Sequence, residues 1–419
     1  MQHFDLVVIG AGMVGAALAL GAAQKGKRVA IVEPRLPKAF DGTTIPDLRV
    51  SAISLSSQAM LQNFGAWHYI QAMRVHPYSA LSVWDSFGRT HFSAAESGHE
   101  QMGYMVENQV LQLGLHQALQ QCPDVSWFNQ YNNLDALHGK MTLDGTEYSS
   151  DVIAAADGGN SQARAQAGIG VTGWQYQQAV LGITVKCDID SMTDVAGQMA
   201  ETWQAFSPTG PKAFLPLMNG YASLIWYDTQ QQVKLLNAMS NDELQSHIYD
   251  AFPASLPKCT VLEKGWFPIA RNHANRYYKG HLVLVGDAAH TINPLAGQGV
   301  NLGFKDVDAL ITALYCSDDE ASAGSTLSSL LSAATLPLFG ALSVDAGETP
   351  QTKPLHHALK QYEHVRRPHN LLMMSAMDAI YAAFSNDIAP LSVLRNVGLT
   401  MANNSGWLKV RAMKYAMGL

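Results

Sequence analysis

The sequence predicts an α/β fold: a discontinuous, Rossmann-like dinucleotide-binding domain, an inserted β-sheet substrate domain of α+β type, and a helical C-terminal tail. Three observations predict it. Residues 4–32 follow the pattern strand, glycine turn, helix, strand. Two later apolar strands, at 151–156 and 281–285, lead into Asp-Gly and Gly-Asp turns. Between those two strands, residues 180–187, 212–217 and 221–227 are typical of strands of a separate sheet.

The first glycine turn predicts a dinucleotide site. Gly10 permits the tight turn, Gly12 lets the backbone approach a pyrophosphate, and Gly15 lets helix and strand pack closely. The free N–H groups at the start of the helix then point at the phosphates. Glu33 ends the second strand and can accept both hydrogen bonds of an adenosine ribose. FAD and NAD both fit this unit.

A second segment, from Gly286 to Gly303, favours the flavin. Asp287 ends a strand and can bind a ribityl or ribose hydroxyl, and the glycines after it let a new helix begin beside a flat ring. We expect that helix to begin near Gly299 and to direct its positive dipole at a reduced, negatively charged flavin. The segment contributes the following expected cofactor-binding residues: Gly286, Asp287, Gly297, Gln298, Gly299, Val300 and Asn301.

These elements predict the domain boundaries. The nucleotide domain takes residues 1–75, 101–175 and 271–316, and the substrate domain takes 76–100 and 176–270. Residues 317–354, rich in Ser, Ala, Thr and Gly, predict a flexible insertion, and residues 355–419 predict the helical tail.

Composition limits the kind of partner and the compartment. The 419 residues are 47% hydrophobic and carry a net charge of −7, which argues against nucleic acid as the main partner. Four cysteines without a CxxC pair predict a reduced, metal-free intracellular protein. No apolar run approaches the roughly 20 residues of a membrane-spanning helix. We therefore expect a cytoplasmic enzyme, either soluble or peripheral to the inner membrane.

The C-terminal region differs in charge from the rest of the chain. Residues 360–419 hold seven cations and three acids, a balance of +4, interleaved with apolar groups. A basic amphipathic tail can lie on an anionic bilayer. The alternative is a helical packing arm with solvated charges.

Three segments in order resemble the class A flavoprotein aromatic hydroxylases: the Gly10–Gly15 fingerprint, residues 156–164 with Asp157-Gly158, and the Gly286-Asp287 segment. Within that family, residues 47–54 and 103–108 look most like the ubiquinone-biosynthesis hydroxylases. Residues 174–176, 214–217 and 414–419 look like the branch that hydroxylates a polyprenyl methoxy-methyl benzoquinol. The resemblance covers nearly the whole chain except residues 317–354, where the chain is longer than the family pattern.

The resemblance implies an FAD-dependent monooxygenase. NAD(P)H would reduce the flavin, which would trap O2 as a C4a-hydroperoxide that an electron-rich quinol ring attacks. The protein would position flavin and ring and exclude water. A lipophilic polyprenyl quinol is the implied substrate. A biosynthetic complex, a membrane surface and a homo-oligomer are the partners left open.

The resemblance also assigns roles to single residues. Arg49 would contact the flavin and help position the ring, against the alternative of a surface salt bridge with Asp47. Asn108 would sit near the FAD on the opposing helix, and Asp157 would serve both FAD and NAD(P)H. The backbone near Pro294 would face the substrate. His290 is a candidate base, although a histidine on a buried turn is more often a hydrogen-bonded structural residue.

Two other functions remain open. The chain could hydroxylate an earlier polyprenylphenol intermediate at another ring carbon, because such enzymes share every motif named above. It could also be a flavin-binding assembly subunit of the biosynthetic complex, although a scaffold has no use for a helix directed at the flavin.

Overall fold

A computed structural model describes residues 2–188, 200–294, 297, 299–316 and 355–419. The predicted insertion at 317–354 and the predicted cofactor residue Gln298 lie outside these ranges. The strands are β1 (Gln2–Ile9), β2 (Val29–Val32), β3 (Val50–Ser54), β4 (His76–Tyr78), β5 (Ala80–Trp84), β6 (Arg89–Ser93), β7 (Gly103–Glu107), β8 (Val125–Phe128), β9 (Tyr131–Asp135), β10 (Lys140–Leu143), β11 (Thr146–Ala155), β12 (Val171–Cys187), β13 (Glu201–Ala205), β14 (Lys212–Pro216), β15 (Tyr221–Thr229), β16 (Cys259–Ala274), β17 (Tyr278–Lys279), β18 (Leu282–Leu284) and β19 (His290–Thr291). The helices are α1 (Met13–Gln24), α2 (Leu55–Asn63), α3 (Trp67–Gln71), α4 (Asn108–Leu119), α5 (Gln162–Gln166), α6 (Gln230–Ala238), α7 (Asn241–Ala251), α8 (Gly299–Tyr315), α9 (Leu355–Phe384), α10 (Ala389–Asn403) and α11 (Trp407–Met417).

The first large sheet has a parallel centre, as the glycine fingerprint predicts. Its order is β17-β18-β11-β1-β2-β8, and β1 pairs in parallel with both β2 and β11. β2 and the last four residues of β1 and of β11 are apolar and buried, as strands covered by helices on both faces should be. α1 is built almost entirely of small and aliphatic residues, and it is buried between the sheet, α4 and α8.

The second sheet forms the substrate region and has the order β19-β16-β12-β15-β14-β13-β5-β6. Helices α6 and α7 cover one face of it and close an aliphatic and aromatic core. β12 and β16 are the long strands of this sheet. They run across the boundaries predicted at residues 175 and 270, so the two regions share continuous strands. A three-stranded sheet, β3-β7-β4, lies at their junction.

The C-terminal helices cover both regions. α9 packs on α8 with its first half and reaches the substrate sheet with its second half. α10 packs on β6, and α11 buries Met413 and Met417 against Ala94 and Met102. Within the described residues, no helix combines the length and apolar character needed to cross a bilayer.

Candidate active site

The glycine turn after β1 has the close contacts that its sequence predicts. Gly10 has φ +98°, and a Cβ there would lie 2.6 Å from the carbonyl oxygen of Ala156. A Cβ on Gly15 would lie 1.9 Å from the carbonyl oxygen of Gly10, so neither position accepts a side chain. At Gly12, by contrast, a Cβ would meet nothing within 4 Å. The start of α1 therefore faces open space, as a phosphate site requires.

Two side chains hold this turn in place. Glu33, at the end of β2, accepts a hydrogen bond from the backbone N–H of Ala11 at 2.8 Å. His116 of α4 lies with Nε2 2.8 Å from the carbonyl oxygen of Ala11, and burial lowers its pKa. At neutral pH His116 is therefore a neutral donor to the turn. The Glu33 carboxylate lies beside the turn, where the adenosine ribose of a dinucleotide is expected.

The Asp157-Gly158 segment follows the carboxyl end of β11. One carboxylate oxygen of Asp157 accepts from the backbone of Ala163 at 3.1 Å. The other is buried and has no hydrogen-bond partner, so it is available to a ligand. Arg164 donates to the carbonyl oxygens of Gly159 at 2.8 Å and Ala288 at 2.7 Å. It thereby ties this segment to the Gly286-Asp287 turn.

Asp287 and Arg49 lie close enough for the positive charge of Arg49 to favour the ionised form of the Asp287 carboxyl. The Asp287 side chain is exposed, yet the surrounding protein raises its pKa by partial desolvation, which indicates that it lines a deep cleft. Nearby positive charge from His290 and Arg49 opposes that rise in pKa. No ion pair joins the side chains of Arg49 and Asp47, although the backbone N–H of Arg49 lies 3.4 Å from the Asp47 carboxylate. The exposed guanidinium of Arg49 is therefore not held by a surface salt bridge to Asp47.

The loop that carries Arg49 is fixed by the start of α4. Glu107 forms a buried ion pair with Arg74, with Oε1 2.8 Å from Nε, and accepts from the backbone of Asp47 at 2.8 Å. Desolvation raises the pKa of Glu107 despite the neighbouring Arg74. Asn108 donates its backbone N–H to the carbonyl of Arg49 at 2.8 Å, and its side chain accepts from Ser51 at 2.7 Å. Asn108 therefore positions the loop that carries Arg49.

α8 begins at Gly299, as predicted, and its first turn lies beside β3. The Asn301 amide is buried and fully bonded: it accepts from the backbone of Ser54 at 3.0 Å and from the Ser57 hydroxyl at 2.8 Å, and donates to the Ala52 carbonyl at 2.7 Å. Gly297, with φ +63°, lies close enough to Ala52 that a Cβ would be 3.3 Å from that side chain. Asn301 thus anchors the helix start, where the first backbone N–H groups of an α-helix have no partner within the helix.

His290 belongs to a buried polar network behind the Gly286-Asp287 turn. Its Nε2 lies 2.5 Å from Oδ2 of Asp306, which also accepts from the backbone of Gly286 at 3.1 Å. Arg366 and Asn370 of α9 donate to the other oxygen at 2.8 and 3.0 Å. Burial raises the pKa of Asp306, but the charges of His290 and Arg366 outweigh it and hold that pKa below its ordinary value. The Gly286-Asp287 turn is therefore hydrogen-bonded to a carboxylate, Asp306, that stays ionised at neutral pH.

Across the cleft, the substrate sheet presents a wall of buried tyrosines. Tyr227 donates to the amide oxygen of Asn293 at 3.3 Å, and Tyr176 donates to Asp378 of α9. Burial raises the pKa of both tyrosines, so their hydroxyls stay protonated at neutral pH. Asn293 is 1% exposed, and its amide nitrogen has no hydrogen-bond partner at good geometry, although a weak contact with the Tyr176 hydroxyl opposes the rise in the pKa of Tyr176. A buried donor that is poorly satisfied, next to the exposed Pro294, is the strongest indication of a ligand on this side.

The second half of α9 closes this wall. Arg271 of β16 forms an ion pair with Asp378, with Nε 2.7 Å from Oδ2, and its guanidinium carbon lies 4.4 Å from the centre of the Trp174 ring. Tyr381 donates to the amide of Gln178 on β12. The wall is thus tied to α9 by polar contacts.

Sequence reasoning missed most of these supporting residues. Asp306 could have been found, because a carboxylate on the apolar face of α8 requires a buried partner. Nothing local indicates that Asn293, Arg271 and Asp378 meet. Among the aromatic residues of the substrate sheet, Tyr227 lies on the wall. Trp203, Phe214 and Trp226 belong to the core under α6 and α7 on the opposite side. The ring of Phe206 stacks on that of Phe384, the last residue of α9, with 4.1 Å between the ring centres.

One group of possible metal ligands occurs among the described residues. His3, Asp5 and Asp151 bring their ligand atoms within 4.8 Å of one another. Asp5 also accepts from the backbone of Arg28 at 2.7 Å. The group is partly exposed, and exposed acidic groups of this kind are common without an ion. The expectation of a metal-free protein stays a prediction.

Comparison with known proteins agrees with the flavin assignment. A family model described as an FAD binding domain matches residues 3–331. The 3-demethoxyubiquinol 3-hydroxylase of Escherichia coli (strain K12) is 42% identical, over 100% of this chain and 99% of that protein. A mitochondrial ubiquinone biosynthesis monooxygenase of Xenopus tropicalis is 30% identical, over 99% of this chain and 93% of that protein.

Among solved structures, p-nitrophenol 4-monooxygenase PnpA from Pseudomonas putida DLL-E4 superposes with a TM-score of 0.72, over 100% of this chain and 99% of that one. At 16% sequence identity this likeness shows the fold alone. The family match and the relatives that align over almost their whole lengths lead to one conclusion. The chain belongs to the FAD-dependent aromatic-ring monooxygenases, in the family of the ubiquinone-biosynthesis hydroxylases.

Proposed function

We propose that the protein hydroxylates the ring of a polyprenyl methoxy-methyl benzoquinol in ubiquinone biosynthesis, with NAD(P)H as electron donor and O2 as co-substrate. The observation that carries the proposal is the 42% identity, over both full lengths, to a protein named 3-demethoxyubiquinol 3-hydroxylase. The buried, poorly satisfied donor of Asn293 in the tyrosine wall supports a substrate with a ring oxygen. When bound, FAD supplies the redox and oxygen chemistry.

The residues around the cleft are proposed to bind and orient that cofactor. The N–H groups at Gly12 and the start of α1 take the pyrophosphate, and Glu33 takes the adenosine ribose. Asp287 takes a ribityl hydroxyl. The start of α8 and the charge of Arg49 stabilise negative charge on the reduced ring. The free oxygen of Asp157 remains for a hydroxyl of FAD or NAD(P)H.

His290 is proposed as a positioning residue and not as a base. A general base must reach the proton that it removes, and Nε2 of His290 is already engaged by the buried Asp306. Through that contact His290 fixes the Gly286-Asp287 turn. The quinol ring is electron-rich, so the reaction does not need a strong base from the protein. The exposed backbone at Pro294 is proposed to face the ring.

Asn293 is proposed to donate its free amide N–H to a ring oxygen of the substrate. The hydroxyl of Tyr227 holds the amide oxygen, which leaves Nδ2 free to turn to the ligand. Burying the ring against Tyr176, Val180 and Ile269 then excludes water from the reacting carbon.

The direct test measures product identity. We would mix the purified yellow protein with a short-tailed methoxy-methyl benzoquinol, O2 and NADH or NADPH, and determine product mass and ring position. One oxygen gained at the free ring carbon supports the proposal. Turnover only with an earlier polyprenylphenol would establish the alternative substrate. A flavin-loaded protein that consumes no NAD(P)H with either quinol would favour the assembly-subunit alternative.

An Asn293→Leu variant tests the proposed donor. Losing one buried hydrogen bond to the substrate is expected to raise KM roughly tenfold and to release more peroxide per NAD(P)H consumed. Asn132→Leu, at an exposed position on β9, is the matched control. Unchanged KM and unchanged coupling in the Asn293→Leu enzyme would exclude this role.

The membrane surface is the partner that we propose for α10. This helix turns its polar residues inward: Asn396 accepts from the backbone of Gly88 at 2.6 Å, and Arg395 pairs with Asp85 at 2.5 Å. Its outward face is aliphatic and carries no charge. Leu394 and Met401 are each 68% exposed. The other exposed apolar residues of this face are Leu391, Val393 and Val397.

The composition of this surface favours an anionic bilayer. The exposed Arg411 and Lys414 of α11 follow the aliphatic face, next to Trp407, which is also 68% exposed. An apolar face flanked by an aromatic ring and cations is typical of helices that lie in the lipid headgroup region. A lipophilic substrate gives such docking a purpose, at the cytoplasmic face of the inner membrane.

Co-sedimentation with vesicles of mixed zwitterionic and anionic lipid tests the docking. Leu394→Asp is expected to abolish most of the binding, whereas Leu235→Asp, at an equally large exposed residue on α6, leaves it unchanged. Binding that survives Leu394→Asp would exclude this face. Self-association in solution that Leu394→Asp breaks, without any vesicle binding, would assign the face to a second copy of the chain.

A further inference from the structure

Cys187 and Cys259 face each other at one end of the substrate sheet. They are directly paired in the antiparallel register of β12 and β16. Directly opposed residues place their side chains on the same face, with Cβ atoms about 4.5–5.5 Å apart. Both cysteines are buried, and both are free thiols.

The backbone hydrogen bonds show which kind of pair this is. The next pair along the ladder is hydrogen-bonded, because the N–H of Asp188 donates to the carbonyl of Lys258 at 2.8 Å. The N–H of Cys259 donates instead to the Tyr249 hydroxyl at 2.8 Å, and the Cys259 carbonyl accepts from that hydroxyl at 3.0 Å. Both backbone groups of Cys259 thus point away from β12.

Cys187 and Cys259 therefore occupy a non-hydrogen-bonded position, where opposed Cα atoms approach to about 4.5 Å. That separation lies within the roughly 4.4–6.8 Å that a disulfide spans. A bond between the two sulfur atoms is accordingly compatible with the strand pairing as it stands.

A hydrogen bond between the two thiols distinguishes one sulfur atom from the other. A hydrogen bond from the Cys187 thiol lowers the pKa of Cys259, which favours its thiolate. The same hydrogen bond, together with burial, raises the pKa of Cys187. Both residues line a surface concavity with Tyr249, Lys186 and Lys258, which gives a small oxidant a path to them.

We propose that Cys187 and Cys259 form a thiol modification site that hydrogen peroxide converts into a cross-strand disulfide. The Cys259 thiolate attacks one peroxide oxygen and breaks the O–O bond, which gives a sulfenic acid and, with one proton, water. The sulfur of Cys187 then displaces the sulfenic hydroxyl, forming the S–S bond and a second water. Two thiols are oxidised by two electrons, and one peroxide is reduced to two water molecules.

The modification lies far from the cleft on the same two strands. Cys187 lies nine positions along β12 from Gln178 of the tyrosine wall, roughly 30 Å of extended chain. The disulfide would fasten the outer ends of β12 and β16. We expect it to raise the thermal unfolding midpoint by about 3 °C and to leave KM for the quinol unchanged.

The test uses the full-length, FAD-loaded protein treated with a small excess of hydrogen peroxide and digested without reductant. The expected product is a peptide pair joined through Cys187 and Cys259 that dithiothreitol separates. A Cys122→Ser, Cys316→Ser double variant is the matched control and should form the same product. Cys187→Ser should accumulate a sulfenic acid on Cys259 that dimedone traps. Oxidation of Cys122 or Cys316 while Cys187 and Cys259 stay reduced would overturn the proposal.

Discussion

The two halves of α9 serve the two sides of the cleft in different ways. The first half sends Arg366 and Asn370 into the fully buried network of Asp306, behind the flavin turn. The second half sends Asp378 and Tyr381 to the tyrosine wall, where the Asp378 side chain remains 23% exposed. One helix therefore holds the cofactor side through a buried charge and the substrate side through contacts that water can reach.

The difference indicates how rigid each side is. Breaking a fully buried ion pair leaves an uncompensated charge and is strongly destabilising, whereas a partly solvated pair is replaced by water at little cost. The flavin turn is thus fixed, and the substrate wall can adjust to a ring and its tail. Three variants test this contrast.

The largest effect on the free energy of unfolding is expected for Asp306→Asn. Removing this charge leaves Arg366 buried without its partner, and we expect the free energy of unfolding to fall by about 3–5 kcal/mol. The Gly286-Asp287 turn should loosen, so the FAD dissociation constant should rise as well. Denaturant unfolding and flavin titration measure the two effects.

Asp250→Asn is the control for this variant, since Asp250 also lies on a helix, α7, and is exposed. If both variants lost the same free energy of unfolding, the buried Asp306 network would contribute no more to stability than an exposed carboxylate.

An intermediate effect is expected for the pH dependence of the unfolding free energy, through His273. This residue lies on β16, between the Asp306 network and the tyrosine wall, and its Nε2 lies 3.1 Å from the Tyr277 hydroxyl. Burial, with the charges of Arg367, His290 and Arg271, lowers the pKa of His273 to about 4. Between pH 6.5 and 4 the unfolded chain binds a proton that the native chain does not. The free energy of unfolding therefore falls by up to about 3 kcal/mol as pH is lowered through that window. Below pH 4 both states bind the proton, and His273 causes no further loss.

Urea unfolding of the wild-type protein and of His273→Gln, measured from pH 7 to 4, checks this expectation. The glutamine should flatten the slope in that window because it does not titrate. An identical slope in both proteins would assign the pH dependence to other groups.

The smallest effect on stability is expected for Asp378→Asn on the substrate side. We expect the free energy of unfolding to fall by about 2 kcal/mol, because Arg271 loses a partner whose side chain is 23% exposed, whereas Asp306 is fully buried. KM for the quinol should rise a few-fold, while the FAD dissociation constant stays as in the wild type. Asp387→Asn, exposed in the loop after α9, is the control. A loss of stability as large as that of Asp306→Asn would remove the proposed difference between the two halves.

The parts that could be predicted from the sequence are those in which one short segment does the whole task. The Gly10–Gly15 turn, Glu33 and the start of α8 at Gly299 each depend on neighbours in the sequence. Their chemistry is local, since a glycine at a close backbone approach or a helix start has the same consequences in any protein.

The substrate wall could not be predicted because its members come from distant segments. Asn293, Tyr227 and Asp378 meet only after the second sheet and α9 have packed together. The role of the C-terminal cations could not be predicted for a similar reason. Their charge balance left a membrane-bound basic tail and a helical packing arm open, and Arg366, Arg395 and Lys409 lie in ion pairs with Asp306, Asp85 and Glu96. Exposure, which a sequence does not record, identifies the aliphatic face of α10.

The discontinuous nucleotide sheet has a consequence for synthesis of the protein. β11 pairs with β1 on one side and, through its first residues, with β10, but β18, which pairs with its last residues, begins only at Leu282. A growing chain therefore leaves the ribosome with an open strand edge in its nucleotide sheet while most of the substrate sheet is still being made. Open edges pair readily with other chains. We expect nascent chains to depend on chaperones during this interval, and FAD to enter only after α9 has emerged and joined Asp306.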